Sequence, residues 1–463
     1  MTYYPIDIRE IQNKVSKKLS RNNIYQQELA ITDISLNVKE IKNQFGEKLV
    51  RVDGTIPVDL PVENGQRFLF ISYDQGRYSH GIHKYPAKFF PELPRWLVQK
   101  YSCVGDWVLD PFMGSATTNI ECLLNERHSV GIDVDPFARF LAKVKTTSLN
   151  PKELKEKNQI LLEKIVEYQP SLIKDEQIPI FPYRDNWFQP EILKELTYIK
   201  QVIDKLHVSE DVRDFYKICF SSIIRNVSNA DDNCTRTVVR KKLNKQIYPS
   251  FALKRFVENL LTFTPRVIEF SERITNARVE IPQNSDARDI KYKDNTFDLA
   301  LTSPPYANAV DYPRTHQLEM YWLDLVDGSL TELKKKHIGT ESVKSEDYKK
   351  LRAIGVEEAD WVLKKIYEID PRRSYICYKY LSDMVQNMKE VYRTLKRGGR
   401  YVIVVGNNVV RKQKFETWRY LMPLSKQIGF SVESYFGSEI IKHFIKVPRE
   451  ERINTDWVIV LKK

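Results

Sequence analysis

The residues best suited to take part in a reaction form a short loop, Thr302-Ser303-Pro304-Pro305-Tyr306, which follows the apolar run 297–301. The run has the near-continuous apolar pattern of a parallel strand covered on both faces, and prolines end strand pairing directly after it. Each proline restricts its own backbone and that of the preceding residue, so we expect the oxygen atoms of Ser303 and Pro304 to point in fixed directions. The loop therefore offers preset hydrogen-bond acceptors and one flat ring, at the strand end where open α/β sheets bind ligands.

A second motif stands earlier in the chain. Residues 107–109 predict a short strand, the loop Asp110-Pro111-Phe112-Met113-Gly114-Ser115-Ala116-Thr117-Thr118 leads into a helix, and a further strand ends at Asp133. A strand, loop, helix and strand closed by an acid is the arrangement with which a doubly wound sheet holds a nucleoside. A dinucleotide loop needs three glycines and only Gly114 is present. The motif thus favours an adenosyl group without a pyrophosphate and disfavours a nicotinamide cofactor.

A simpler interpretation is that Gly114 merely turns a tight loop and that Asp133 caps the helix after Pro136. The joint spacing of Asp110, Gly114 and Asp133 favours the nucleoside site over it. Asp286 follows the strand predicted at 277–281 and is suited to accept a hydrogen bond from an adenine amino group. Three acids would then lie at three strand ends.

The elements between these motifs divide the chain. Helical spacing of apolar residues predicts helices at 151–168, 190–206, 211–226 and 251–261, so the sheet is interrupted by an insertion. We predict an N-terminal extension at 1–78, the first part of the sheet domain at 79–150, a helical inserted domain at 151–273 and the second part of the sheet domain at 274–463. The closing strands, near 431–436 and 456–461, are close enough in sequence to form an antiparallel hairpin.

Between Thr235 and Phe256, the predicted insertion carries basic residues without an intervening acid. A solvated helix face usually alternates charges, so this stretch favours contacts with nucleic-acid phosphates, although a merely basic surface is the alternative. The candidate DNA-binding residues are Arg236, Arg240, Lys241, Lys242 and Lys245.

The excess of basic over acidic residues in the chain favours a polyanionic binding partner. The 463 residues include 73 Lys and Arg against 61 Asp and Glu, a formal charge of +12, and 42% of them are hydrophobic. Five scattered cysteines have no spacing for a disulfide framework or a metal, so we expect no metal and a reduced, cytoplasmic setting. No apolar run reaches membrane-spanning length, and the first residues lack a signal-peptide core.

With these motifs, the sequence resembles the amino-group DNA methyltransferases that use S-adenosylmethionine. The loop beginning at Asp110 resembles the family's cofactor loop, Thr302-Ser303-Pro304-Pro305-Tyr306 its catalytic loop, and Tyr85-Pro86-Ala87-Lys88-Phe89 the segment preceding the cofactor loop. The resemblance implies an α/β fold with a Rossmann-like seven-stranded sheet that ends in an antiparallel hairpin. It also implies double-stranded DNA as substrate, with a cognate restriction endonuclease or defence system as a candidate partner.

The resemblance assigns roles to individual residues. The implied catalytic residues are Ser303, Pro304, Pro305 and Tyr306. The implied S-adenosylmethionine-binding residues are Ala87, Lys88, Phe89, Asp110, Pro111, Phe112, Gly114, Ser115, Thr117, Asp133, Asp286 and Ala287.

Two departures from the family bear on function. Serine at 303, where adenine-modifying members usually carry Asp or Asn, resembles the cytosine-N4 subgroup, so we expect cytosine and keep adenine N6 as the alternative. Ala116 replaces a common second glycine and would place a β-carbon beside the cofactor. This is the one feature that favours a catalytically inactive, DNA-binding relative; an RNA amino-methyltransferase is a third interpretation.

Overall fold

The computed structural model of the protein describes residues 6–29, 38–42, 46–239, 245, 247–307, 311–326, 329–440 and 455–463. The strands, in chain order, are β1 (Val38–Lys42), β2 (Lys48–Asp53), β3 (Arg67–Ile71), β4 (Trp107–Asp110), β5 (His128–Gly131), β6 (Val279–Glu280), β7 (Phe297–Thr302), β8 (Leu395–Gly406), β9 (Asn408–Val410), β10 (Gln413–Phe415), β11 (Ser431–Glu439) and β12 (Thr455–Lys462).

The helices, in chain order, are α1 (Ile8–Leu29), α2 (Glu92–Tyr101), α3 (Thr117–Leu124), α4 (Pro136–Thr146), α5 (Pro151–Val166), α6 (Arg184–Trp187), α7 (Pro190–Lys205), α8 (Glu210–Val227), α9 (Phe251–Ser271), α10 (Tyr312–Thr315), α11 (Gln317–Trp322), α12 (Thr331–Lys336), α13 (Glu357–Ile369), α14 (Pro371–Thr394) and α15 (Thr417–Ile428). Within the described ranges, no helix is long and apolar enough to cross a membrane.

The main sheet is ten-stranded, in the order β1-β2-β3-β11-β12-β8-β7-β4-β5-β6. Its β6-β5-β4-β7-β8 part is parallel, whereas β12 lies antiparallel between β8 and β11. This arrangement confirms the predicted Rossmann-like sheet with its closing antiparallel hairpin. Three strands of the predicted N-terminal extension, β1, β2 and β3, extend the sheet beyond β11.

Both faces of the sheet are covered, as the apolar run before the catalytic loop predicts. Leu299 and Leu301 of β7 pack into a cluster with Trp96 of α2, whereas Ala300 packs on the opposite face. That opposite cluster includes Met388 of α14 and Leu421 of α15. Alternate residues of one strand thus serve two cores, and the polar loop after β7 is confined to the edge of the sheet.

Between β5 and β6 the chain is mainly helical, and the four predicted helices correspond to α5, α7, α8 and α9. Asn150 caps α5 by accepting from the backbone N–H groups of Lys152 and Glu153, and Pro151 occupies the first turn. The prediction ended α9 at Leu261, but it continues to Ser271 through Pro265. The extension follows from Phe263, Val267 and Phe270, which are buried at helical spacing.

Candidate active site

Asp110 joins the two loops in which the sequence predicts chemistry. Its Oδ1 atom accepts hydrogen bonds from the Thr302 hydroxyl, at 2.6 Å, and from the Phe112 N–H, at 3.1 Å. Thr302 is the last residue of β7, and Asp110 is the last residue of the adjacent β4. Burial raises the pKa of the Asp110 carboxyl to about 6. The bond therefore holds the catalytic loop in a defined position relative to the cofactor loop.

Asp133, just after strand β5, stabilises the conformation of the cofactor loop by hydrogen bonding. Its Oδ2 accepts from the Gly114 N–H at 2.9 Å, and its Oδ1 accepts from the Asp135 N–H at 2.8 Å. Burial, together with the Asp135 carboxylate, raises the pKa of Asp133 to about 6. A carboxylate has about four acceptor sites, so these two bonds leave capacity for the hydroxyl groups of a sugar.

The helix α4 is capped by Asp135 and not by Asp133. The Asp135 side chain accepts from the backbone N–H groups of Phe137 and Ala138. The simpler interpretation of Asp133 as the cap of this helix is therefore wrong.

Ala116 adopts the left-handed conformation, with φ of 61°. Glycine favours this conformation, which gives a physical reason for a glycine at the equivalent position of relatives. The Ala116 side chain is fully buried against Met113 and Ala142, and it does not line the cleft beside the loop. Its β-carbon accordingly takes no space from the cleft.

A cleft of about 820 Å³, including its part open to solvent, runs along this edge of the sheet. The predicted residues that line it are Ala87, Lys88, Phe89, Asp110, Pro111, Phe112, Gly114, Ser115, Thr117, Asp133, Asp286, Ala287, Ser303 and Pro305. The structure thus brings every predicted cofactor residue together with two residues of the catalytic loop.

Pro304 and Tyr306 do not line this cleft. Pro304 is buried, and the Tyr306 hydroxyl donates to Asp456 Oδ1 at 2.9 Å. Asp456 belongs to β12 and pairs with Gly406 of β8. Burial raises the pKa of the Asp456 carboxyl to about 6. The ring of Tyr306 is consequently anchored on the side of the loop that faces away from the cofactor cleft.

Asp286 lines the cleft but already has a partner. The Arg288 guanidinium donates to both of its oxygens, from Nε at 2.9 Å and from Nη2 at 2.7 Å. Burial acts to raise the pKa of Asp286, but Arg288 outweighs it and the pKa is lowered. Any bond from Asp286 to an adenine amino group must therefore share a carboxylate that Arg288 holds ionised.

One wall of the cleft was missed by sequence reasoning. Lys336, His337 and Ile338 line it from the end of α12, more than thirty residues after the catalytic loop. His337 Nδ1 bonds to the Leu333 carbonyl at 2.9 Å, and its Nε2 lies 3.7 Å from Asp135 Oδ2. Burial acts to lower the pKa of His337, but Asp135 outweighs it and the net shift is upward. The remaining unpredicted lining residues are Tyr85, Met113, Thr118, Val134, Asp135 and Tyr312.

The predicted DNA-binding residues are only partly within the described chain. Arg240, Lys241 and Lys242 lie outside it, whereas Arg236 is exposed. Lys245 Nζ donates to the carbonyls of Arg225 and Ala230 and to the Asp232 carboxylate. Its three donors are thus used within the chain, so any phosphate contact by Lys245 has to compete with these bonds.

A hydrogen bond connects the start of the basic stretch to α10, the helix that follows the catalytic loop. The Thr237 hydroxyl donates to the Thr315 carbonyl at 2.8 Å. Thr315 ends α10, the short helix that follows the catalytic loop. The polypeptide that leads into the basic stretch therefore lies against α10.

The sheet order and the cleft at its carboxyl edge define a Rossmann-like methyltransferase domain. Comparison with known proteins agrees. The model of a family described as DNA methylase, of the N6/N4 methyltransferase type, matches residues 3–143. This match includes the cofactor loop at 110–118, so the chain is similar to this amino-methyltransferase family.

The individual relatives span different shares of the chain. The type II methyltransferase M.MvaI of Kocuria varians is 25% identical over 382 residues, which cover 75% of this chain and 81% of that protein. The type II methyltransferase M.MjaII of Methanocaldococcus jannaschii is 28% identical over 229 residues, covering 47% and 41%. Among solved structures, a SAM-dependent methyltransferase of Methanosarcina mazei matches with a TM-score of 0.29 and 11% identity, over 82% of this chain and 98% of that one.

Proposed function

We propose that this protein is a DNA methyltransferase that moves a methyl group from S-adenosylmethionine to the exocyclic amino group of cytosine, at N4. The observation that carries the proposal is the shared cleft, in which Ser303 stands with Asp110 and Asp133. Similarity to the family supports amino-group chemistry, and serine in the first catalytic position supports cytosine. The relatives M.MvaI and M.MjaII are named type II methyltransferases, so we also propose a specific DNA site, with a cognate endonuclease as candidate partner.

The chemistry of the cleft fits this cofactor. Asp110 is a buried acceptor and Asp133 a partly buried one, both have raised pKa values, and a positively charged ligand would stabilise their ionised forms. Asp133 retains acceptor capacity for ribose hydroxyls, and Phe89, Phe112 and Ile338 provide apolar surface. When bound, S-adenosylmethionine supplies a methyl group on a positively charged sulfur.

Ser303 and Pro304 would act on the substrate amino group. The lone pair of such a nitrogen is conjugated into the ring, and acceptors placed at its protons favour a geometry in which it can attack. The Ser303 hydroxyl oxygen and the Pro304 carbonyl are these acceptors, and the bond from Thr302 to Asp110 sets their position before substrate arrives. The nitrogen gains the methyl group, the sulfur keeps the electron pair of the broken bond, and the nitrogen then loses one proton.

Access to the amino group requires the target base to leave the duplex, at a cost of a few kcal/mol. The exposed Arg236 and the rest of the basic stretch would offset this cost by contacts with phosphates. Ala116 was the one feature that favoured an inactive relative, and its side chain packs outside the cleft. We therefore place active enzyme ahead of an inactive DNA-binding subunit.

The test is Ser303→Ala, with Ser342→Ala as a matched control on an exposed residue outside the cleft. We expect Ser303→Ala to bind S-adenosylmethionine like the wild type in calorimetry. Its transfer of labelled methyl groups to DNA should fall by about 100- to 1000-fold, the typical effect of losing one preorganised hydrogen-bond partner. Ser342→Ala should retain full transfer.

Mass spectrometry of digested DNA identifies the product. N4-methylcytosine supports the proposal, whereas N6-methyladenine would replace it with the adenine alternative. Undiminished transfer by Ser303→Ala would remove the assigned role of this residue. Cofactor binding without transfer to any DNA by the wild type would favour the inactive subunit.

A further inference from the structure

A small basic hairpin follows β8 at the same edge of the sheet as the catalytic loop. Its strands β9 and β10 pair antiparallel, with Val410 opposite Gln413, so Arg411 and Lys412 form a two-residue turn. Both turn residues have positive φ, 51° and 64°, as a type I′ turn requires. Asn-Gly suits such a turn, whereas other residues adopt positive φ at a cost in free energy. Two charged side chains thus occupy a tip where they are conformationally unfavourable, and such strain concentrates at functional sites.

The charges at this tip are available for a partner. Lys412 and Lys414 are exposed, and neither forms an ion pair with any described residue. Arg411 has a different role, because its Nε and Nη2 donate to Asp370 Oδ2 at 2.9 and 2.7 Å. Asp370 also caps α14. Arg411 therefore fixes the direction of the hairpin, and the two lysines extend from it.

The base of the hairpin adjoins the catalytic loop. The hairpin begins at Asn408, two residues after Gly406. Gly406 pairs with Asp456, which accepts the hydrogen bond of the Tyr306 hydroxyl. At about 3.3 Å per residue, the three-residue arms place the tip roughly 10 Å beyond this base. The hairpin thus begins close to the residue that anchors Tyr306, and Arg411 holds its tip at the start of α14.

The described start of the basic stretch, at Arg236 and Thr237, lies against the helix that follows the catalytic loop. Thr237, which leads into that stretch, bonds to Thr315 after the loop. In the sheet, β8 flanks β7 on one side, and the cofactor strands β4 and β5 lie on the other. The helix that follows the catalytic loop thus contacts the start of one basic element, and β8, beside β7, leads into the other. A duplex that presents a rotated base needs phosphate contacts on both sides of that nucleotide to hold its register.

We propose that the hairpin 408–415 is a second DNA-binding element, in which Lys412 and Lys414 bind backbone phosphates across the catalytic loop from the basic stretch. The proposal rests on the proposed DNA substrate. Lys412 and Lys414 contribute affinity without sequence information, because phosphates are the same at every site. Arg411 is a positioning residue.

The test compares two doubly neutralised proteins, Lys412→Gln/Lys414→Gln and the control Lys389→Gln/Arg397→Gln. The control residues are also exposed, and they lie at the end of α14 and the start of β8, at the opposite edge of the sheet. The affinity for a DNA duplex is measured over a series of salt concentrations. Each lost phosphate contact reduces the slope of log affinity against log salt by about 0.9. We expect a reduction of about 1.8 for the hairpin variant, and the wild-type slope for the control.

A second measurement uses the unmodified protein. Chemical acetylation of lysines, read by mass spectrometry, should show protection of Lys412 and Lys414 by DNA and none of Lys389. Wild-type slope in the hairpin variant, or unprotected hairpin lysines in a protein that binds DNA, would overturn the hairpin proposal. A wild-type protein that neither binds nor methylates DNA would instead overturn the proposed function, so the two failures are distinct.

Discussion

Replacing Thr302 by valine tests the bond between the two loops of the site. The change removes the hydroxyl that donates to Asp110 Oδ1 at 2.6 Å, and a methyl group of similar size takes its place in a fully buried position. Asp110 keeps the bond from the Phe112 N–H. We therefore expect the ionised form of Asp110 to lose stabilisation while the packing around β7 is retained.

The expected change in the pKa of Asp110 can be estimated from the hydrogen bond that its ionised carboxylate loses. A hydrogen bond to an ionised group contributes about 1.5–3 kcal/mol, and one pKa unit corresponds to about 1.4 kcal/mol. Burial already raises the pKa of Asp110 from its ordinary value of 3.8 to about 6. Without the hydroxyl, the pKa should rise by roughly one to two further units.

The direction in which cofactor affinity changes with pH depends on which protonation state of Asp110 binds the cofactor. The positively charged cofactor is expected to prefer ionised Asp110, so its affinity should fall as the pH drops through the pKa of the free carboxyl. The wild-type transition is expected near pH 6, from Asp110 and Asp133 together. In Thr302→Val, the contribution of Asp110 to this transition in cofactor affinity should move to higher pH. Thr302→Ser keeps the hydroxyl and should keep the wild-type midpoint.

Folding stability provides a second measure of the same carboxyl. A folded-state pKa above the unfolded value makes the folded protein less stable as pH rises from about 4 to about 6. Thr302→Val should extend this loss to higher pH. Calorimetric titrations with S-adenosylmethionine between pH 5 and 8.5, with urea unfolding at each pH, compare the three proteins. Coincident profiles for the valine and serine variants would refute the coupling.

Two other substitutions test energies elsewhere in the fold. Ala116→Gly removes the strain of an alanine in the left-handed conformation, which stabilises the fold by about 1–2 kcal/mol. It also removes a buried methyl group and increases the entropy of the unfolded chain, which together destabilise the fold by about 1.3–1.8 kcal/mol. Urea unfolding should therefore change by less than about 1 kcal/mol, with unchanged cofactor affinity in calorimetry; a large gain in affinity would show that the methyl group obstructs the cleft. Glu195 is buried, accepts from the N–H groups of Ser250 and Ala252 at the start of α9, and has a pKa that burial raises to about 7. The wild type loses stability as pH rises from 4.5 to 7, so its free energy of unfolding relative to that of Glu195→Gln should fall by about 2–3 kcal/mol between pH 5 and 8. A difference that does not change with pH would contradict the shifted pKa of Glu195.

The sequence by itself determined the central part of the fold. The strands around the cofactor loop and the apolar run before Ser303 were predictable because the periodicity of a strand covered on both faces is local. The residues that line the cleft from the loops at 87–89 and 110–117 were predicted from the resemblance of short motifs to the family's loops. These motifs depend on backbone geometry within a few residues, so neighbouring sequence carries their signal.

Other features depended on contacts between distant segments. The wall formed by Lys336 and His337 follows no motif, and it reaches the cleft only because α12 folds back over Asp135. The partner of Tyr306, Asp456, comes from β12, which pairs with β8. Lys245 belongs to a basic stretch in sequence, yet its ammonium group binds backbone carbonyls. Periodicity shows which side chains share a face, whereas tertiary structure decides which distant groups satisfy one another's hydrogen bonds and charges.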